Sequence, residues 1–231
     1  MRVVQLWRYP VKSMQGERLD RASITATGIE GDRSWGVRDR STGYVLTAKR
    51  VPALLYASAS WVEGRPVVTL PGDHENLAEW LDRDVTLVEA DAEVRGTYEI
   101  AEDQFDETST ILQWNGPRGS FHDSNRNQLH LLSTASLGEW DVRRFRPNVV
   151  VDGDGGELGL VDATLRIGTA VVSVSKRTSR CVMTTRAQPG GVVRDLDVLR
   201  TIMRDAGGDL GISCTVVEPG VVHVGDAVEV I

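Results

Sequence analysis

The sequence predicts a mainly β fold with a few helices, an α+β chain with a barrel-like core and a β-rich N-terminal subdomain. Three observations point there. Short runs rich in Val, Ile and Leu recur between turns containing Gly, Pro and Asp; helical periodicity surfaces in only three short stretches; and strands and helices do not alternate as a doubly wound sheet requires. At 231 residues and 41% hydrophobic, the chain suffices for one large domain or two closely packed ones.

Val3 to Trp7 is a short apolar strand, and Arg33 to Asp39 alternates before Arg40-Ser-Thr-Gly43 turns the chain into Tyr44-Val-Leu-Thr47, a hairpin pattern. A second hairpin pairs Leu54–Val62 with Val67–Leu70 around Glu63-Gly-Arg-Pro66. Asp73 is placed to cap a short helix with Leu77, Trp80 and Leu81 on one face. From Glu89 to Glu107 run eight acidic residues and one arginine, read as a solvated connection approaching a subdomain boundary near 105–120. Ser133 caps a helix predicted over 134–145, carrying Leu137 and Trp140. Arg146-Pro-Asn148 then opens a β-branched strand, Val149 to Val151, and the Gly-rich turn Asp152–Gly156 follows. Leu165 to Ser175 alternates around Gly168; a helix over about 195–205 repeats Leu196, Leu199, Ile202 and Met203 and stops at Gly207-Gly208; Ile212–Val217 and Val221–Ile231 close the chain around Glu218-Pro-Gly220.

The acidic tract alone matches the net charge of −7, so the remainder is balanced and carries local basic clusters at Arg143, Arg144 and Arg146 and at Lys176, Arg177 and Arg180. Bulk acidity argues against a nucleic-acid partner; a small anionic ligand remains compatible. No apolar run reaches the roughly 18–20 residues of a membrane span, and the expected setting is cytoplasmic, away from membranes. Two cysteines exclude a disulfide framework, an iron–sulfur cluster and a four-thiolate zinc site.

No HExxH, GxSxG, Walker loop or strand-following GxGxxG occurs. The four histidines, His74, His122, His130 and His223, follow no zinc spacing and read as surface or packing residues. Asp152-Gly-Asp-Gly-Gly156 starts like a calcium loop but has Ala163 where the twelfth-position acid belongs. Cys181 is the residue that stands out. Arg180 and further positive charge beside it favour the thiolate, the form that attacks electrophiles or ligates a soft metal, although a free cysteine at a strand end is also commonly a small buried hydrophobe. Cys214, within an apolar closing strand, reads as that buried hydrophobe. Lys12-Ser13 at a strand end, Gly31-Asp-Arg33 in a turn and Arg146-Pro-Asn148 have the chemistry to hold an anion, with a surface salt bridge as the alternative for each. Lys12 is one of only three lysines against 23 arginines.

In order, Tyr9-Pro-Val-Lys-Ser13, Gly31-Asp-Arg-Ser-Trp35, Leu46-Thr-Ala-Lys-Arg50, His130–Leu137, Phe145-Arg-Pro-Asn148, Ser179–Thr185 and Glu218-Pro-Gly220 with Val224-Gly-Asp226 resemble the MOSC family, the domain shared by molybdenum cofactor sulfurases and the amidoxime-reducing component. The resemblance implies a MOSC-type β-barrel core, with residues 1–115 similar to the MOSC N-terminal β-barrel domain and 116–231 to the MOSC domain. It further implies that Cys181 is the catalytic thiolate on molybdenum in a molybdenum cofactor, Mo-molybdopterin. Lys12, Ser13, Arg33, Arg146, Asn148, Ser179 and Arg180 then correspond to residues cradling the pterin and its phosphate, with Arg126 and Asn127 in a segment whose register is looser. Ser213 takes a place where some relatives carry an aromatic residue.

Two functions are implied. One is an oxidoreductase that removes oxygen from a small N-hydroxylated substrate, with electrons from a separate donor protein of ferredoxin, cytochrome or flavin reductase type. The acidic tract is a candidate surface for steering a basic donor, against the plainer reading of a solvated loop. The other is a cofactor carrier or sulfur-transfer protein using a Cys181 persulfide, with pyridoxal phosphate entering only through a separate desulfurase.

Overall fold

The buried valines of Val149–Val151 mark the middle of an eight-stranded sheet in the computed structural model, which describes residues 1–103, 109–154 and 156–231. Its order runs Val228–Val230, Thr164–Ile167, Ala170–Ser179, Asp209–Glu218, Leu129–Ser133, Val149–Val151, Val3–Arg8, Glu17–Leu19. Neighbours are antiparallel except Leu129–Ser133 beside Val149–Val151, which is parallel. Register shifts interrupt the pairing of Ala170–Ser179 with Asp209–Glu218 at three points, which bends and coils the strands. The sheet curls into a half-barrel, and its two ends approach where Arg2 bridges Ala227 and the Val228 N–H donates to the Met1 carbonyl at 2.8 Å.

The start of the chain is built into this sheet. Leu6 lies opposite Val149, and Val3, Leu6, Ala22, Ile24 and Ile29 share one buried cluster with Leu131, Leu165, Val172 and Ile212. A second cluster gathers Val11, Met14, Val37, Leu46, Leu54 and Val85, and Met183, two residues past Cys181, packs against it. Tyr9 to Ser13 therefore runs from one core to the other.

Several local expectations are corrected. Trp35–Asp39 takes Val85–Glu89 as its strand partner, while the expected hairpin with Tyr44–Thr47 forms as a single bridge of Val45 with Arg38, flanked by the Asp39 N–H to the Tyr44 carbonyl at 2.9 Å and the Leu46 N–H to the Val37 carbonyl at 2.7 Å; Val45 also bridges Tyr98. Leu54–Tyr56 lies in a 3₁₀ helix, Pro52–Tyr56, and the hairpin proper is Ser58–Val62 with Arg65–Thr69, joined by Glu63 and Gly64, both at positive φ. Asn76, not Asp73, caps the helix Leu77–Leu81: its side chain accepts the Glu79 N–H at 3.0 Å, the three-residue spacing that capping requires. The acidic tract contains a strand, Arg95–Ala101, paired with Ile111–Arg118, and Tyr98 and Glu99 are buried in it; residues 104–107 of the tract lie outside the described residues. Ser133 caps its helix as expected, but only Thr134–Leu137 is α-helical, since Gly138 at φ 55° ends it and Val142–Arg144 forms a separate 3₁₀ turn. The last helix, Asp197–Ala206, ends at left-handed Gly207 but buries Val198 and Ile202, leaving Leu196 and Met203 exposed. The closing stretch Val221–Ile231 divides into Gly220–His223, which joins Arg21–Thr25 in a smaller sheet, and Val228–Val230 at the end of the large one.

Leu6 is fully buried at this junction, so Leu6→Ala is expected to cost about 2–5 kcal/mol in urea unfolding. A loss under about 0.5 kcal/mol, the scale of a surface change, would show that the first strand does not belong to the barrel core.

Candidate functional site

Where the two cores meet, a cleft of about 660 Å³ opens, lined by Lys12, Ser13, Arg33, Lys49, Asn127, His130, Arg146, Lys176, Ser179, Arg180 and Cys181 among others. Its basic lining also includes Arg144, and Asp123 is its one acidic residue among the described residues, where seven cations face that carboxylate. All three lysines of the chain are there.

Strand geometry sorts the basic clusters. Along Ala170–Ser179, Lys176 and Thr178 line the cleft, whereas Arg177 between them donates to the Leu158 carbonyl at 3.2 Å. Arg143 pairs with Asp141 at 2.7 Å, Arg144 donates to the carbonyls of Thr184, Arg186 and Val193, and Arg146 donates to the Met14 carbonyl, so that Arg144 and Arg146 line the cleft with carbonyls rather than carboxylates as partners. Arg144 thereby fastens the segment after Cys181. Cys181 is half-buried at the start of the 3₁₀ turn Val182–Thr185, its carbonyl accepting from the Thr184 N–H and hydroxyl at 3.1 and 3.0 Å. Cys214 is buried, and burial pushes its thiol up to about 12, the inert behaviour expected of it.

The backbone is unusual at this place. Among the described residues six non-glycines have positive φ, and three of them, Ser13 (73°), Arg33 (50°) and Arg146 (51°), line the cleft. Left-handed backbone costs an ordinary residue on the order of 1–3 kcal/mol and collects at functional sites. Here contacts hold it: Ser13 Oγ accepts the Ala48 N–H at 2.9 Å, the Arg33 N–H donates to the Tyr9 carbonyl at 2.7 Å, and the Arg146 N–H donates to Val142 at 3.1 Å. The guanidiniums of Arg33 and Arg146 both lie over the Tyr9 ring, 4.9 and 4.2 Å from its centroid.

Two of the cations are ion-paired, Lys12 with Asp123 at 2.7 Å and Arg33 with Asp32. Lys49, Arg144, Arg146, Lys176 and Arg180 have no carboxylate partner among the described residues. Burial lowers the pKa of Lys12, and Asp123 opposes the shift; Lys12 in turn holds the Asp123 carboxyl well below the carboxylate range. Burial lowers Arg146 to about 10 and Arg180 to about 9, so both stay charged at neutral pH. Arg180 is fixed by the carbonyls of Leu210 and Phe145 and by His130 Nε2 at 2.5 Å. Burial, followed by Arg180 itself, drives the His130 pKa far down, which leaves the ring neutral.

Of the residues singled out from the sequence, Lys12, Ser13, Arg33, Asn127, Arg146, Ser179, Arg180 and Cys181 line the cleft. Ser179 turns its hydroxyl to Asp209 at 2.8 Å. Asn148 stands behind the wall, 1% exposed, its Oδ1 accepting from Arg33 at 3.4 Å and from the His130 N–H at 3.2 Å. Arg126 is exposed outside the cleft and donates to the Ser175 carbonyl at 2.6 Å. Sequence reading missed Tyr98, Trp114 and the cleft position of His130. Alternation along Arg95–Ala101 was the available signal for Tyr98; no spacing marked the others.

Family models match on both sides of this cleft: the MOSC N-terminal beta barrel domain over residues 1–114 and the MOSC domain over residues 118–229. The chain belongs to the MOSC family. It is 25% identical over 238 residues to mitochondrial amidoxime reducing component 2 of Bos taurus, covering 87% of this chain and 70% of that protein. Over 50 residues it is 42% identical to molybdenum cofactor sulfurase of Solanum lycopersicum, which is 22% of this chain and 6% of that one. Among solved structures, the YUAD protein from Bacillus subtilis matches with TM-score 0.51 at 18% identity, over 99% of this chain and 94% of that one, a likeness of fold. This MOSC protein is thus related to proteins of molybdenum-cofactor chemistry, and no helix among its described residues is long and apolar enough to cross a membrane.

Behind the cleft, His122 is 2% exposed, its Nε2 unpartnered and 3.8 Å from Asp32, and burial lowers its pKa to about 4. The unfolded chain, at about 6.5, takes up this proton first, so stability falls as pH drops from 6.5 through 4. Between pH 7 and pH 5 the unfolding free energy of His122→Gln is expected to fall by about 2 kcal/mol less than that of the unsubstituted protein. Equal pH dependence in urea titrations would contradict a buried neutral His122.

Proposed function

We propose that the cleft holds a molybdenum-bearing pterin cofactor with Cys181 as the protein thiolate, and that the protein reduces N-hydroxylated small molecules with electrons from a separate donor protein. The observation that carries this is the gathering of seven basic side chains, all three lysines included, around one half-buried thiol. The fit to the cofactor is chemical as well as spatial. A volume of about 660 Å³ lies in the range of small-molecule and cofactor sites, roughly 300–1,000 Å³. Five cations without carboxylate partners among the described residues suit a phosphate and a dithiolene, and Asn127 Oδ1, buried without a hydrogen-bond partner among those residues, offers an acceptor to a donor-bearing heterocycle.

Such a cofactor supplies two-electron oxygen-atom transfer. Cys181 would supply a soft ligand to it, and Arg33, Arg146 and Arg180 would orient its anionic groups with donors already fixed by carbonyls and ring contacts. Lys49 and Lys176, without carboxylate partners among the described residues, would compensate the remaining negative charge. Overall, two electrons and two protons convert the substrate N–OH into N–H and water. The bovine relative, an amidoxime reducing component, and the thiol's place among these cations support this reading.

Cys181→Ser is expected to lose at least 100-fold in reduction of an aromatic amidoxime with a chemical electron donor, with its unfolding temperature unchanged. Undiminished turnover would overturn the assignment. Cofactor-loaded protein that reduces neither hydroxylamines nor amidoximes would point instead to carriage of the cofactor.

A further inference from the structure

The outer strand of the two-stranded ribbon has an unprotected edge. Among the described residues Ile111–Arg118 is paired on one side only, with Arg95–Ala101, and Ile111 to Asn115 are all exposed. Hydrogen bonding along Arg95–Ala101 fixes which backbone groups point outward. The Thr97 carbonyl and the Glu99 N–H turn to Val45, at 2.8 and 3.0 Å, so Tyr98 and Ile100 turn theirs to Trp114 and Leu112. The Glu102 N–H, donating to Thr110 at 2.9 Å, keeps the same phase. Ile111, Gln113 and Asn115 therefore aim their N–H and C=O groups away from the ribbon, and none of these groups has a partner among the described residues. The usual protections of an edge are missing: from Ile111 to Gly116 there is neither a charge nor a proline. Pro117, with no N–H to offer, ends the stretch.

We infer that this edge pairs with the same edge of a second copy, antiparallel and centred on Gln113, to make a four-stranded ribbon. The edge is self-complementary in that register. A two-fold axis at Gln113 sets this residue opposite itself and Ile111 opposite Asn115, so the three outward N–H groups of each copy all meet outward carbonyls of the other. Leu112, 42% exposed, comes to face Trp114, 53% exposed, and the pairing covers both. No charged side chain between Ile111 and Gly116 opposes it. A contact made by one strand pair falls below the roughly 1,200 Å² of a standard interface, so the association is weak and concentration-dependent. Trp114 also lines the cleft, so each cleft mouth in the pair lies beside the other copy. The pairing needs no cofactor and stands apart from the proposed function.

Sedimentation equilibrium of the purified protein over about 1–500 μM, the range of weak interfaces, tests this. The average mass is expected to rise from one chain toward two with concentration. Gln113→Pro removes the central outward N–H and leaves the bonds to Arg95–Ala101 in place, while Gln113→Lys and Gln113→Glu set like charges together on the axis. Each variant is expected to stay folded and to associate at least roughly tenfold more weakly. An equimolar mixture of the Lys and Glu variants is expected to regain the association, a recovery that misfolding would not produce. A protein monomeric at every concentration would overturn pairing with a second copy and leave the edge to an extended segment of another protein. Association unchanged in Gln113→Pro and Gln113→Lys, or no recovery in the mixture, would equally overturn the pairing.

Discussion

Pairing of Val3–Arg8 with Val149–Val151 places the beginning of the chain inside the barrel sheet, and the site's first wall hangs from that pairing. The Trp7 N–H donates to the Asn148 carbonyl at 2.9 Å, the Tyr9 N–H to Asp32 at 2.7 Å, and the Arg33 N–H back to Tyr9. Each such bond contributes only about 1 kcal/mol net; burial of Val3 and Leu6 is what makes the arrangement persistent. Lys12, Ser13 and Arg33 are thereby delivered opposite Arg146, Arg180 and Cys181, which the other side of the same sheet supplies.

Electrostatics sets the character of the cleft. Two unit charges 8 Å apart repel by about 2 kcal/mol at an effective dielectric constant of 20, so a concentration of unpaired cations persists only against compensating gains. The left-handed backbone at Ser13, Arg33 and Arg146 adds to that cost. Protein carbonyls satisfy the guanidinium donors of Arg144 and Arg180 without cancelling their charge, which leaves the site prepared for an anion rather than closed by salt bridges.

Much of the barrel was legible in the sequence, because strands such as Thr164–Ile167 and Ala170–Ser179 carry their own apolar alternation and the turn at Gly168 is chemically marked. Errors came where tertiary partners decide. Arg95–Ala101 hides inside an acidic tract since its buried Glu99 is neutralised by Arg50 and Arg83, which are distant in sequence. The helix after Ser133 looked longer because Leu137 and Trp140 share a helical spacing, yet Gly138 breaks it between them. Within the site, short basic motifs located the anion-facing residues but not side-chain direction: Asn148 and Arg126 have the right chemistry and face elsewhere. Trp114 carried no local signal, since its place at the cleft follows from its cross-strand position beside Tyr98.

Binding of one anionic molybdenum-bearing pterin through these cations and Cys181, as proposed for the cleft, is tested by metal analysis with pterin fluorescence on freshly prepared protein, alongside the double variant Lys49→Gln/Lys176→Gln. Close to one molybdenum and one pterin per chain is expected, falling severalfold in the folded double variant. Protein carrying neither after expression with ample molybdate, or equal loading in the double variant, would contradict it.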